Sequence, residues 1–260
     1  MIYKNRLSKF KSYNDPFPTI VIDNFLSNNE AQEAAKLLKK KEFDEVVNEG
    51  RKNIRMGTKK FKKLTDEENI LSDLYHFFNN KDIYEDLLNK LEVISEKSKK
   101  NFVIKNKPEI FKKNYYEYKR SIHSENLIKK ISNYLYIKFL KKFNFFKNSL
   151  YLEMNYSFAF KGYGLKTHTD KNSRLVVFLL YLNELNNDGG HLEMYSKNSY
   201  TNEKFKLEKK FKPEGGKLIV FLSNPESFHN VSKIEKSETE RYFCYGGYTS
   251  LNQINWMQHN

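Results

Sequence analysis

Apolar residues change their period near residue 145, and the chain divides there. Before that point they recur at helical spacing. Ile83, Leu87, Leu88, Leu91 and Ile94 share a face within Lys81–Lys97, as do Leu127, Ile131, Leu135 and Phe139 within Ile122–Phe143. Ser27-Asn28-Asn29-Glu30 is a capping box that opens a helix to about Lys40, and Thr65-Asp66-Glu67-Glu68 opens another to about Phe78. Residues 1–15 read as a loose, basic lead-in. Pro16-Phe17-Pro18 then introduces Thr19-Ile20-Val21-Ile22, a β-branched strand.

From Leu150 the pattern shortens to extended runs: 150–160, Leu175–Leu182, His191–Tyr195, Phe205–Phe211, Leu218–Leu222, Ser227–Val231 and Tyr242–Thr249. Turn chemistry separates them, at Gly162-Tyr163-Gly164, Asn186-Asn187-Asp188-Gly189-Gly190, Pro213-Glu214-Gly215-Gly216 and Asn224-Pro225. Leu175–Leu182 is apolar on both faces, as a strand between two layers must be. The pattern predicts an α+β fold: a double-stranded β-helix (jelly roll) core with a mainly helical N-terminal half packed on it. Residues 1–145 supply the supporting strand and helices and residues 146–260 the core, as one integrated domain.

Composition adds little to this picture. Hydrophobic residues make up 39% of the chain, with 21 Phe and 18 Tyr, enough for a sizeable core and against global disorder. The formal charge is +14, but lysine is dispersed and arginine scarce, which fits a solvated surface better than a phosphate-reading face. The run Lys59-Lys60-Phe61-Lys62-Lys63 reads as an exposed loop or strand edge. A single cysteine, Cys244, excludes an intrachain disulfide and reads as an inert core thiol. No signal peptide and no apolar run of membrane-spanning length is seen, so the expectation is a soluble, cytoplasmic protein with no membrane partner.

The chemistry gathers at His168-Thr169-Asp170. Residues i and i+2 of an extended backbone share a face, so an imidazole and a carboxylate can aim at one point. His229 follows the apolar run Leu218–Leu222 and the Asn224-Pro225 turn and can bring a second imidazole there. Two histidines and one carboxylate with open positions opposite suit non-haem Fe(II). Arg241 begins the next extended segment, where its fixed fork could hold the far carboxylate of a dicarboxylic co-substrate. Tyr163 could donate a hydroxyl near the site, Tyr181 reads as core, and Arg174 as structural or at the substrate mouth. His191 reads as structural or mouth-lining, and His76, His123 and His259 as surface or packing residues.

At these residues the sequence resembles the 2-oxoglutarate/Fe(II)-dependent oxygenases, in particular the prolyl-4-hydroxylase-like branch. His168-Thr169-Asp170, Tyr181-Leu182-Asn183, Asp188-Gly189-Gly190-His191-Leu192-Glu193-Met194-Tyr195 and Ser227-Phe228-His229 look like the family's motifs in their usual order. Pro16 to Leu26 looks like the lead-in strand before its first helix. The resemblance implies Fe(II) on His168, Asp170 and His229, 2-oxoglutarate on Arg241, O2 as oxidant, and ascorbate as a possible stimulant. It implies hydroxylation of an unactivated C–H bond of a prolyl or other amino-acid residue, or of a related small metabolite, with release of succinate and CO2. Retention of Asp170 points to hydroxylation rather than halogenation. Two positions depart from the pattern: Phe243 stands where a small hydroxyl residue is usual, and Ala159 where many prolyl hydroxylases carry tyrosine.

Two other readings compete. A nucleic-acid-modifying oxygenase is encouraged by the charge but would carry a second arginine six positions after Arg241, where Gly247 stands. A non-catalytic jelly-roll binding module would need no complete set of four. Substrate choice is expected to lie in residues 44–63, 100–120 and 196–204.

Overall fold

The computed structural model describes residues 4–43, 45–48, 50–96, 103–104, 110–111, 127–142, 149–185, 189–197, 204–236, 240–250 and 257–258. His123, His259, the turn at 186–188 and most of the stretches 100–120 and 196–204 lie outside the described residues.

After a 3-10 turn, Lys4–Ser8, come β1 (Lys11–Tyr13), β2 (Thr19–Ile22), α1 (Asn28–Lys39), β3 (Glu45–Asn48), β4 (Arg51–Arg55), α2 (Lys59–Glu67), α3 (Asn69–Phe78) and α4 (Lys81–Glu96). Short strands β5 (Val103–Ile104) and β6 (Ile110–Phe111) precede α5 (Leu127–Lys142). The C-terminal half holds β7 (Ser149–Ala159), β8 (Leu165–His168), β9 (Arg174–Tyr181), β10 (Leu192–Lys197) and β11 (Phe205–Phe211). It continues with β12 (Leu218–Leu222), β13 (Phe228–Val231), β14 (Arg241–Ser250) and β15 (Met257–Gln258).

Nine strands form the major sheet in the order β1-β2-β12-β9-β14-β7-β4-β3, with β6 added parallel to β7. Four form the minor sheet, β11-β10-β13-β8, and β15 pairs with β5. The two larger sheets make the jelly roll. Val177, Leu179, Ile219 and Phe221 of the major sheet pack against Leu192, Met194 and Val231 of the minor one. The other face of the major sheet packs against helices. Phe78 of α3 stacks on Phe178 of β9 with ring centroids 4.0 Å apart, and Leu74, Leu87 and Leu91 join the same core. Double coverage is why β12, and β9 after its first residue Arg174, are apolar, whereas β10 alternates and the edge strand β11 carries lysines.

The box at Ser27 behaves as its sequence suggests: Ser27 Oγ accepts from Glu30 N and the Glu30 carboxylate accepts from Ser27 N. Arg6 adds a bidentate pair to the same carboxylate, 2.8 and 3.0 Å. The second box is different. Thr65 lies inside α2, where its hydroxyl donates to the Phe61 carbonyl at 3.2 Å, and Thr58 is the residue that caps the helix. A bulky apolar pair, Phe61 and Leu64, buries one face of α2, so the lysine run from Lys59 is helical rather than a loop or strand edge. The sequence pattern missed β3 and β4, which extend the jelly-roll sheet with residues of the N-terminal half. On α5 the four apolar residues at helical spacing are all exposed, Leu127 at 67%.

Candidate active site

The site begins with a strand pairing. β8 and β13 are antiparallel, and His168 stands directly across from His229 with ring centroids 4.5 Å apart. Each ring is oriented the same way. His168 Nδ1 is 2.8 Å from the Lys166 carbonyl oxygen and His229 Nδ1 is 2.9 Å from that of Ser227. A carbonyl only accepts, so both Nδ1 atoms carry the proton, and in the neutral ring this tautomer leaves the Nε2 lone pair free.

Asp170, two residues past the end of β8, completes the group. Its Oδ1 accepts from Arg174 at 2.8 Å and from the Tyr245 hydroxyl at 3.1 Å. Its Oδ2 is buried without a hydrogen-bond partner among the described residues, 3.6 Å from His229 Nε2. That gap is slightly wider than the roughly 3 Å between neighbouring ligands each about 2.1 Å from one ion. Among the described residues no three His, Cys, Asp or Glu side chains already form a finished ion cage. The open lone pairs and the orphaned Oδ2 nevertheless give a donor set that could hold Fe(II). Burial alone would raise the Asp170 carboxyl, but the Arg174 guanidinium, helped by the Tyr245 hydroxyl, overrides it and holds it below its ordinary value. Burial pulls His229 down, keeping the ring neutral and able to ligate.

Arg174 is itself held by Glu153 at 3.0 Å and by the Tyr245 oxygen at 2.5 Å. Gly247 makes this possible, since a Cβ there would lie 3.1 Å from Arg174 Cδ and 2.3 Å from the Val176 oxygen. The reading of Arg174 as structural or mouth-lining thus becomes a specific task, which is to hold one oxygen of Asp170 and leave the other free.

Arg241 opens β14 and is fully buried. Among the described residues its Nε and Nη1 have no hydrogen-bond partner, and its guanidinium carbon lies 4.8 Å from the Tyr181 ring centroid and 4.4 Å from that of Phe243. Burial lowers its proton affinity, and Arg51 adds to the effect. The neighbouring motifs place it. Asn183 accepts from Tyr242 N and donates to the Glu240 carbonyl, both at 2.7 Å, pinning the backbone on each side of Arg241. A Cβ on Gly190 would come within 3.4 Å of Arg241 Cδ and Nη1, so the Gly-Gly turn leaves its side chain room.

His168, His229, Arg241 and Tyr163 all line one cavity of about 60 Å³, closed on the apolar side by Leu179, Phe221 and Val231. Tyr163 accepts from Arg51 at 3.3 Å. His191 bonds Ser232 and does not line the cavity, so its role is structural. Arg51 and Tyr245 line it and were missed. Arg51 sits in a charged stretch with no motif, and only the pairing of β4 with β7 reveals its place.

A jelly roll with two imidazoles and a buried guanidinium opening on one cavity, and a carboxylate beside them, is an arrangement that could hold a metal ion and a carboxylate ligand together. Residues 154–248, which carry the whole group, match the family model described as the 2OG-Fe(II) oxygenase superfamily, and over that stretch the chain is similar to the 2-oxoglutarate-dependent oxygenases. Members use Fe(II), 2-oxoglutarate and O2. No curated protein matches the chain. Among solved structures it is similar to a Pseudomonas putida prolyl-4-hydroxylase, at 17% identity and TM-score 0.43 over 89% of this chain and 91% of that one. A Phytophthora capsici prolyl 4-hydroxylase structure gives 15% identity and 0.48 over 91% and 60%. HygX from Streptomyces hygroscopicus with nickel and 2-oxoglutarate bound gives 12% and 0.46 over 95% and 86%. The family model, not these structures, carries that likeness.

Proposed function

We propose that the protein hydroxylates an unactivated C–H bond of a prolyl or other amino-acid residue, or of a related small metabolite. In this reading His168, Asp170 and His229 hold Fe(II), and Arg241 holds the far carboxylate of 2-oxoglutarate with Tyr163 beside it. One observation carries it. A buried guanidinium with two unpartnered nitrogens and two imidazoles with free Nε2 atoms open on the same cavity, with the orphaned carboxylate oxygen of Asp170 beside them. When bound together, iron, co-substrate and O2 supply the oxidising power, 2-oxoglutarate going to succinate and CO2 as one oxygen atom enters the C–H bond.

The chain supplies orientation and dryness. Arg174 and Tyr245 fix Asp170, and the i−2 carbonyls fix both histidine rings. Phe221 packs edge-on to His229 at 5.1 Å and with Leu179 and Val231 excludes water from the reacting centre. Phe243, in place of the usual small hydroxyl residue, stacks against the Arg241 guanidinium, holding it by its face rather than by a hydrogen bond. The two halves act as one domain, because β4 pairs with β7 and the helices share a core with β9 and β14. The nucleic-acid alternative gains no support at Gly247, where the space for a side chain is filled.

Anaerobic addition of Fe(II) and 2-oxoglutarate tests the reading through the visible metal-to-ligand charge-transfer band. The band is expected in wild type, absent in His168→Ala and weakened in Arg241→Ala. A folded, metal-loaded wild type without a band would sink the oxygenase site and favour a binding module.

A further inference from the structure

Arg51 has no task in the proposed reaction, yet it is 7% exposed and lines the same cavity as Arg241. The sheet register puts both there. Ala159 of β7 pairs with Arg241 on one side and with Arg51 on the other, so the two arginines flank it in one row on one face. Two strand spacings separate their Cα atoms by about 10 Å. Both guanidiniums approach the Phe243 ring, Arg241 at 4.4 Å from its centroid and Arg51 at 5.1 Å. Gly50 brings β4 in: its φ is +75°, and a Cβ would lie 2.4 Å from Tyr163 N.

Among the described residues Arg51 bonds only neutral groups: Asn53 at 3.0 Å, Ser157 at 3.1 Å and the Tyr163 hydroxyl at 3.3 Å. Among the described residues no carboxylate pairs with it. Arg174, by contrast, is matched by Asp170 and Glu153. Among the described residues in and beside the cavity, three guanidiniums thus stand against two carboxylates. Fe(II) and doubly ionised 2-oxoglutarate add no net charge between them, so one positive charge remains uncompensated in a buried, low-dielectric site. A buried charge of this kind is costly unless a ligand matches it.

We propose that Arg51 is the anion contact for the compound being oxidised, and that this compound presents a carboxylate to it beside 2-oxoglutarate. The inference rests on the proposed Fe(II)/2-oxoglutarate site and adds the substrate's charge. It narrows the substrate to small acids, a free amino acid among them, or residues whose own carboxylate lies near the oxidised carbon. Asn53 and Ser157 hold the fork in place, and Tyr245 lies between it and Asp170, with its ring centroid 5.4 Å from the Arg51 guanidinium carbon. A carboxylate on Arg51 therefore sits on the metal side of the cavity.

The test uses the full chain with Fe(II) and saturating 2-oxoglutarate under anaerobic conditions, with acetate as probe and acetamide as its uncharged counterpart. Paramagnetic broadening of the methyl proton signal reports approach to the iron. Acetate is expected to broaden and acetamide not. Arg51→Gln is expected to weaken the acetate effect at least about tenfold while the charge-transfer band of 2-oxoglutarate stays. Arg51→Lys, which keeps the charge, should retain part of the effect. Equal broadening by acetate in Arg51→Gln would put acetate on the iron and overturn the proposal. So would a wild type that does not distinguish the two probes, a contrast that needs no variant to fold. Loss of the 2-oxoglutarate band in a folded Arg51→Gln would assign Arg51 to the co-substrate instead, also against the proposal. A wild type with no band before acetate is added fails the oxygenase site itself, and this inference with it.

Discussion

β14 has two faces, and they do opposite things. Outward, Tyr242, Cys244 and Tyr248 join the apolar core shared with the helices. Two buried hydroxyls of the sheet on that side are satisfied locally: Tyr248 donates to the Phe78 carbonyl at 2.8 Å, and Tyr156 of the neighbouring strand to that of Leu71 at 2.5 Å. Inward, Arg241, Phe243 and Tyr245 face the cavity, where Arg241 has two unpartnered nitrogens and the carboxylate reached by Tyr245 has an orphaned oxygen. One strand thus holds the fold with one side and keeps unmet hydrogen-bonding capacity on the other. Unmet capacity is what a ligand can use, and the fold tolerates it because the outward face is fully packed.

The largest effect is expected from damage to the outward side. Phe178 is fully buried against Phe78, and Phe178→Ala should cost about 3–5 kcal/mol in denaturant unfolding. A cost below about 1 kcal/mol would mean that the helices do not hold this sheet. Arg241→Met should do the reverse of a normal core mutation. Replacing an unpaired buried charge by an apolar chain of similar length should raise stability by about 1–3 kcal/mol while 2-oxoglutarate affinity falls. If Arg241→Met unfolds at lower denaturant than wild type, the guanidinium is satisfied in the free protein and the contrast between the faces is wrong.

Tyr245→Phe tests the hold on Asp170 with a smaller change. Metal affinity, followed by Co(II) absorption, should fall roughly tenfold with the fold intact. Unchanged affinity would mean that Arg174 suffices. The smallest effect lies away from both faces, in the α1 cap. Arg6 and the Ser27 cap hold Glu30 down to about 2, against an ordinary value of 4.5. The folded-state value is depressed, so this contribution is fully present above pH 4.5 and is lost as pH falls toward 2. The stability gap between wild type and Glu30→Gln should therefore be about 1 kcal/mol at neutral pH and should close through that window. A gap that stays constant to pH 2 would exclude the carboxylate as its source.

Much of this was legible in the chain. The period-2 runs after Leu150 locate β7, β9, β11, β12 and β14 closely, because strands buried on one or both faces must show that alternation or continuity. His168-x-Asp170, His229 and Arg241 stand out because two residues apart on extended backbone is a geometric statement in itself. The capping box at Ser27 held because capping is local, while the one at Thr65 did not, because burial of Phe61 and Leu64 extends a helix that begins earlier.

What the sequence determined, then, is what neighbours along the chain decide: strand periodicity, one helix cap, and donors two residues apart. Tertiary structure alone decided that β4 joins the major sheet, that Arg51 and Arg241 share a row across Ala159, and that Arg174 and Tyr245 both hold Oδ1 of Asp170 and leave Oδ2 open. Arg51 and Arg241 are far apart in sequence, and no local propensity encodes their approach. Only the hydrogen-bond register of three strands sets it.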